Sequence, residues 1–421
     1  MKTLMELLNA DTRISDYKIN LRSKESYELF FVKGALETVR CTDTCDKEVT
    51  VYVAHGDCKG EAQFFVYPST TDEQLSQRIA EAVEKALLIN NRTFDLPAGE
   101  TGSFSVESNF AAQEPLNLAS EIAKTVFEAN EIENASLNSV EIFLNKRTDR
   151  ILNSRGLDKT QVRYDAMVEA IPTYTGQCQS VELYEQYNFG ALDVPALRQE
   201  ISEKMAQVKA RYEAETPAFP IDCPVVLNAQ EISELTGNIA HDLNYATVYV
   251  HSNLFKKGEA IQKNPEGDLI GITMDGQVAG CIHSSFFDSD GLELKQIRLV
   301  EAGKVVNYYG ANRYGQYLQE APTGNLPCLI LDAGTAGAPE GNYLEVVSMS
   351  GLQVDFYSDY IGGEVRLAYY CDGETVTPVT GISISGQLSQ VLERIRFSSE
   401  TTVFDDYSGP SKAILSDMKI F

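Results

Sequence analysis

The sequence predicts an α+β protein. An N-terminal domain made of a repeated helix-and-hairpin unit is followed by a compact β-rich domain with one central helix. Three observations predict it. Helical periodicity is confined to a few segments, while β-favouring runs separated by Gly, Asn and Asp fill most of the rest. The order helix, hairpin, strand, helix occurs twice before residue 216. Pro217, Pro220 and Pro224 then cluster, and the texture of the chain changes beyond Asp222. The expected domains are therefore 1–216, divisible into repeats 1–110 and 111–216, and 222–421.

The elements follow in order. Residues 2–9 read as a short opening helix. From Tyr27 to Arg40, two β-favouring runs meet at Lys33-Gly34, a hairpin signal. Val49–Ala54 and Gly60–Val66 extend that sheet. Thr71 or Asp72 caps a helix in which Leu75, Ile79, Val83 and Leu87 share a face. The second repeat reads as a helix over Leu116–Phe127, a strand pair over Val140–Leu144 and Arg150–Leu152, a strand over Arg163–Ala170 and an amphipathic helix over Val194–Tyr212. Gly156, in Asn153-Ser154-Arg155-Gly156-Leu157, is placed to supply a positive φ. In the second domain, Asp275-Gly276, Asp290-Gly291 and Asp372-Gly373 are tight-turn signals. The last of these joins Val365–Tyr370 to Thr375–Val379, and Ser389–Ile395 reads as a helix.

The 421 residues suffice for two domains with a sizeable core, and the net charge of −26 repels phosphate backbones. Nucleic-acid binding is not expected. Glu6 interrupts the only apolar run at the N-terminus, and no run approaches the ~20 residues that span a bilayer. A cytoplasmic protein with no membrane contact is the expectation. The eight cysteines include no CxxC pair. Cys41 and Cys45, with His55 and Cys58 downstream, form one candidate metal group; reduced thiols scattered through core and loops are the other reading.

The central helix lies in Asn228–Gln262. Asn228 with Glu231 three residues on is a capping-box signature. Ile232, Leu235, Ile239 and Leu243 make one apolar stripe, which places Glu234, Asn238 and His241 together on the opposite face. A β-favouring run follows, and then His251.

Here the chain resembles the TldD/PmbA (modulator of DNA gyrase) family of zinc peptidases. Catalytic members carry His-Glu, three residues, then His on a helix at this point. On that motif this chain reads Ser233-Glu234-Leu235-Thr236-Gly237-Asn238. Glu and Gly match, while Ser233 and Asn238 stand at the two histidine positions. Glu234 occupies the place of the general base that activates zinc-bound water in catalytic relatives. A hydroxyl and an amide are poor zinc ligands. The family's further cysteine ligand, near the C-terminus, has no counterpart after Cys371. The resemblance therefore implies no metal and no cofactor in this chain, with zinc confined to relatives.

Further blocks keep the family's order: Phe287-Asp288-Ser289-Asp290-Gly291, Glu301-Ala302-Gly303-Lys304-Val305, Thr323-Gly324-Asn325, Gly351-Leu352-Gln353-Val354-Asp355, and Pro378-Val379-Thr380-Gly381. The ending, Ser411–Ile420, resembles the last strand of the PmbA-type branch, also called TldE.

The resemblance implies the metal-free subunit of a peptidase assembly that acts on small unfolded peptides, bound as an added strand. Its expected partner is a catalytic TldD-type subunit in a hetero-oligomer, or further copies of itself in a homo-oligomer. An autonomous peptide- or protein-binding module is the alternative from a different class. A third reading is a displaced metal or acid–base site built from His241, His251 and His283 with Asp288 or Asp290.

Overall fold

The computed structural model describes residues 2–218 and 220–421. It is α+β, with 22% helix and 42% strand. Among the described residues the strands form three sheets: one N-terminal, of eight strands, and two C-terminal, of six and nine.

The N-terminal half begins with α1 (Lys2–Ala10), then three antiparallel strands, β1 (Asp16–Val32), β2 (Ala35–His55) and β3 (Cys58–Phe65), and then α2 (Asp72–Ala86). The hairpin turn falls at Lys33-Gly34, both with positive φ (49° and 76°), as the sequence predicts. Thr71 caps α2 in a full capping box with Gln74. Leu75, Ile79 and Val83 are buried under that helix, with Ala86 completing the stripe in place of Leu87, which is exposed at the cap.

After β4 (Thr101–Ser105) the order returns. It runs α3 (Pro115–Glu128), β5 (Ala135–Asn153), β6 (Asp158–Thr175), β7 (Ser180–Glu182), β8 (Glu185–Phe189) and α4 (Val194–Glu213). β1 and β5, the first long strand of each run, pair antiparallel at the centre of the sheet. Gly156 has φ 83° in the turn between β5 and β6, where Asn153 Oδ1 accepts the N–H groups of Arg155 and Leu157.

One strand assignment is corrected. Val140–Leu144 and Arg150–Leu152 are not a hairpin pair but stretches of the single strand β5. The polar residues between them form a ladder inside the sheet, because β1 and β6 flank β5 on both sides. Asn145 accepts from Ser26 Oγ at 3.0 Å and donates to Asp165 at 2.6 Å, and Arg147 pairs with Asp165 at 2.5 Å. Polarity looks like a loop in the sequence, but here it is satisfied strand to strand.

In the C-terminal half, α5 (Ala229–Asp242) touches strands of both sheets. It meets Val225–Asn228, Gln353–Asp355 and Lys412–Leu415 of the larger, and Cys328–Leu331, Thr401–Phe404 and Tyr407–Pro410 of the smaller. One core cluster runs from Ile221 to Met418 and includes the whole apolar stripe of α5. The short helices α6 (Tyr245–Tyr249), α7 (Asn312–Leu318) and α8 (Leu388–Arg394) lie around it. The turn at Ala302-Gly303 has both φ positive, and Gly373 (φ 95°) lies between the paired strands Tyr360–Asp372 and Val376–Val379, as expected.

Two further expectations are corrected. The β-favouring run after α5 is helical over α6, because Asn244 caps it through the Ala246 N–H and its aromatic residues find helical partners. Tyr245 is buried with its hydroxyl on the Ala321 carbonyl, and Tyr249 packs on Tyr314 and Tyr317 of α7. Packing overrides propensity here. The C-terminal ending contains two strands, Lys412–Leu415 and Met418–Ile420, in place of one.

The halves meet along the face of the N-terminal sheet. Lys18 reaches Asp290 at 2.5 Å, Lys159 donates to the Gly291 carbonyl at 3.0 Å, and Gln161 exchanges hydrogen bonds with Ser285 and the Phe286 N–H. Phe104 stacks on Phe286, and Leu157 clusters with Phe287. On the other flank, Asn312 and Gln316 of α7 donate to the Asp95 carbonyl. No helix of the described residues is long and apolar enough to cross a membrane.

Candidate functional site

Helix α5 is held by its ends and by one face. Asn228 Oδ1 accepts the Gln230 N–H at 2.9 Å. At the far end the buried Asp242 carboxylate accepts the N–H groups of Leu254 and Phe255, at 2.8 and 2.9 Å. That tie folds the chain back after α6, and nothing in the local pattern announced it. Ile232, Leu235, Ile239 and Leu243 are each at most 1% exposed, as the stripe predicts.

The opposite face carries the residues that the resemblance sets against the family's motif. Glu234, Asn238 and His241 are exposed, and Ser233 is half-buried. Asn238 Nδ2 donates to the Glu234 backbone carbonyl at 2.8 Å, so its amide group is turned back onto the helix. The helix stays regular through Gly237. A Cβ added there would meet nothing within 4 Å, so this glycine serves neither a distortion nor a close approach.

Zinc, which the family's catalytic members use, can be tested against this donor set. Ser233 offers a hydroxyl, Asn238 an amide already engaged, and Glu234 one carboxylate in solvent. Positions 233 and 238 also lie about 140° apart around a regular helix. Among the described residues no group of three or more His, Cys, Asp or Glu is arranged to hold a metal. The residues present do not fit the ion.

Glu231 is the unexpected carboxyl of this helix. It is 4% exposed in the first turn. Burial pushes its pKa up to about 7, against the pull of backbone N–H groups of Glu231 and Asn228. Its Oε2 is buried without a hydrogen-bond partner. The capping-box signature was visible in the sequence; the burial was not.

The displaced-site residues are not assembled as proposed. His241 and His251 are exposed on either side of α6. His283 and Asp288 do share a cavity of about 340 Å³ between the halves, lined also by Arg22, Asp149, Gln161 and Arg163. Asp288, however, is occupied as a loop anchor. Its carboxylate accepts the N–H groups of Asp290, Leu292 and Asn325, while burial pushes its pKa up to about 6. Asp290 is taken by Lys18. Sequence reasoning missed this cavity because its walls come from β1, β5, β6 and a loop more than a hundred residues further on.

The cysteine group is also dispersed. Cys41 and Cys45 are exposed on β2, whereas His55 and Cys58 face each other across the β2–β3 turn. Ten residues of extended strand separate Cys45 from His55, roughly 33 Å. His55 Nε2 lies 3.0 Å from the Ile89 carbonyl.

This architecture, a helix between two C-terminal sheets docked on an N-terminal sheet, is that of an α+β protein. Residues 220–421 match the family profile described as the PmbA/TldA metallopeptidase C-terminal domain. The chain therefore carries the C-terminal domain of the TldD/PmbA family. No curated protein sequence matches it. Among solved structures it is similar to TldE from Thermococcus kodakarensis, with a TM-score of 0.79 at 14% identity over 99% of both chains. A candidate modulator of a DNA gyrase from Thermotoga maritima gives 0.77 at 14% identity, over 100% of this chain and 99% of that one. A candidate modulator of DNA gyrase from Bacteroides thetaiotaomicron gives 0.79 at 13%, over 100% and 98%. At these identities the likeness is one of fold.

Proposed function

We propose that this chain is a metal-free subunit of a peptidase assembly acting on small unfolded peptides, with a catalytic TldD-type chain as its partner. The observation that carries this reading is the donor set on α5. Ser233 and Asn238 stand where catalytic relatives have histidines, and the Asn238 amide is spent on a helix carbonyl. The helix itself, its cap and its apolar stripe are intact, so the scaffold persists without the ligands. The same reading divides the chain into domains 1–216 and 222–421, with the N-terminal part duplicated about residue 110. A cytoplasmic location goes with it.

The test is a peptidase assay on unstructured peptides, run with elemental analysis. The purified chain alone is expected to carry no stoichiometric zinc and to cleave nothing. Cleavage is expected when it is mixed with a relative that has an intact His-Glu-x-x-x-His helix. Chelator-sensitive hydrolysis by this chain alone would overturn the proposal. Peptide binding that persists with no effect of any such relative would favour the autonomous binding module.

A further inference from the structure

We propose that the N-terminal sheet carries a binding site for a small organic cation, a tertiary or quaternary ammonium, between its helix-covered face and the start of α3. A cavity of about 490 Å³ lies there. That volume falls within the roughly 300–1,000 Å³ that small-molecule sites occupy. The cavity lies further along β1 than the one between the halves. Strand register builds its floor. Tyr27 of β1 stands opposite Cys41 of β2 and Leu144 of β5. Two residues earlier, Glu25 stands opposite Asp43 and Lys146, and Lys146 stands opposite Tyr164 of β6. Residues two apart on a strand share a face, so both rows look the same way. Tyr27 and Leu144 join α3 through Leu118 in one apolar cluster, which fixes that face as the one towards the helix.

The wall above the floor is fixed before any ligand arrives. Phe110 stands in the short 3-10 turn Asn109–Ala112, and Leu118 near the start of α3. They are 5% and 3% exposed. The Phe110 N–H donates to Ser108 Oγ at 3.2 Å, and its ring meets that of Phe189 edge-on at 6.1 Å.

The chemistry of the lining selects the ligand. Tyr27, Phe110 and Tyr164 bring three aromatic rings to the cavity from three elements. A ring face is the negative part of the aromatic quadrupole and attracts a cation that sheds its water readily. Lys146 is the cation of the lining, and Glu25 holds it at 2.8 Å. The carboxylates of Asp43 and Glu114 remain, and among the described residues no ion pair holds either. Carboxylates alone would say little on a chain of net charge −26. Set beside aromatic and aliphatic walls, they match a positive charge dressed in carbon. A metal ion has no equivalent site here, since among the described residues no group of three or more His, Cys, Asp or Glu is arranged to hold one. An alkylammonium meets both demands: its apolar substituents pack on Tyr27, Leu118 and Leu144, while its diffuse charge lies near the rings and the two free carboxylates. The site is on the N-terminal sheet and does not rest on the peptidase reading of α5.

Two exposed cysteines supply the test. Cys41 lines the cavity, and Cys45 lies outside it on the same strand, about 13 Å further along. The full chain is labelled with N-ethylmaleimide in the presence of benzyltrimethylammonium chloride, and both cysteines are followed by mass spectrometry. Sodium chloride and benzyl alcohol at the same concentration are the controls. Slower labelling of Cys41 relative to Cys45 is expected with the organic cation only, and calorimetric titration should give one site per chain. Asp43→Asn should weaken binding by about five-fold, and Tyr164→Leu by roughly ten-fold, with Cys45 labelling unchanged in both. Equal protection by benzyl alcohol would reduce the cavity to an apolar gap and overturn the proposal. So would a Cys41-to-Cys45 ratio that the cation does not move, or an affinity that neither substitution changes. Protection by a peptide carrying trimethyllysine, with none by the free cation, would overturn it in favour of a protein-tail site.

Discussion

The two faces of α5 have diverged in what they are held to. One face is pressed between two sheets and contains no polar side chain from Ile232 to Leu243 along its stripe. The other carries Ser233, Glu234, Asn238 and His241 and meets solvent at three of them. Burial constrains the first face in volume and polarity, because every atom there has a neighbour. The second is constrained only if chemistry is done on it. That asymmetry lets the fold persist whatever residues stand on the solvent face: it draws its stability from the face that is buried.

The comparison predicts its own largest effect. Leu235 is 1% exposed at the centre of the stripe. Leu235→Asp places an unpaired charge between the sheets and should cost on the order of 4 kcal/mol, enough to unfold many domains of this kind. Chemical denaturation monitored by far-ultraviolet circular dichroism measures it. An unchanged midpoint would mean that the buried face of α5 is not the one described.

Between the faces lies Glu231, which belongs to neither. With a folded pKa of about 7 against an ordinary 4.5, it holds a proton that the unfolded chain releases. The folded state therefore binds more protons between those two values, and this group's contribution to stability falls as pH rises from about 4.5 to about 7. Above pH 7 the loss is complete and flat. Glu231→Gln removes that slope. The variant should be more stable than the parent at pH 8 by about 2 kcal/mol, once the cost of an imperfectly bonded amide is subtracted from the linkage energy. At pH 4, where no linkage energy is left, the amide cost remains and the variant should be less stable than the parent by about 1 kcal/mol. Paired denaturation curves at the two values test this, and an equal effect at both would show that Glu231 is ionised throughout.

What the sequence made legible follows the same division between local and distant causes. The limits of α5, its cap and its stripe were readable because helix signals repeat within a few residues. So were Lys33-Gly34, Gly156 and Ala302-Gly303, where turn chemistry is written in adjacent residues. The continuous course of β5 was not, since Asn145 and Arg147 read as loop until Ser26 and Asp165 are known to lie beside them. Nor was α6, whose tyrosines favour strands in isolation but stack on α7. At the candidate site, the exposed polar face of α5 was legible. The burial of Glu231 and the cavity at His283 and Asp288 were not. Each depends on residues brought together from different elements, and no local period encodes them.

The smallest effect belongs to the residue with the strongest family association. On the proposed reading Glu234 stands at the general-base position, yet a base in that role acts on a water already acidified by a metal ion. The donors beside it, a hydroxyl and an engaged amide, do not supply that ion with a site. Its carboxylate is exposed, and the Asn238 amide bonds to its backbone carbonyl, not to its side chain. Glu234→Gln should therefore leave the unfolding midpoint unchanged, as surface substitutions away from special features do. It should also leave unchanged the peptide turnover measured in the presence of an intact catalytic relative. The equivalent substitution in that relative should abolish turnover. A drop in the activity of the mixed assembly on changing Glu234 here, with the fold intact, would mean that this face still does chemistry and that the two faces of α5 have not been released from each other.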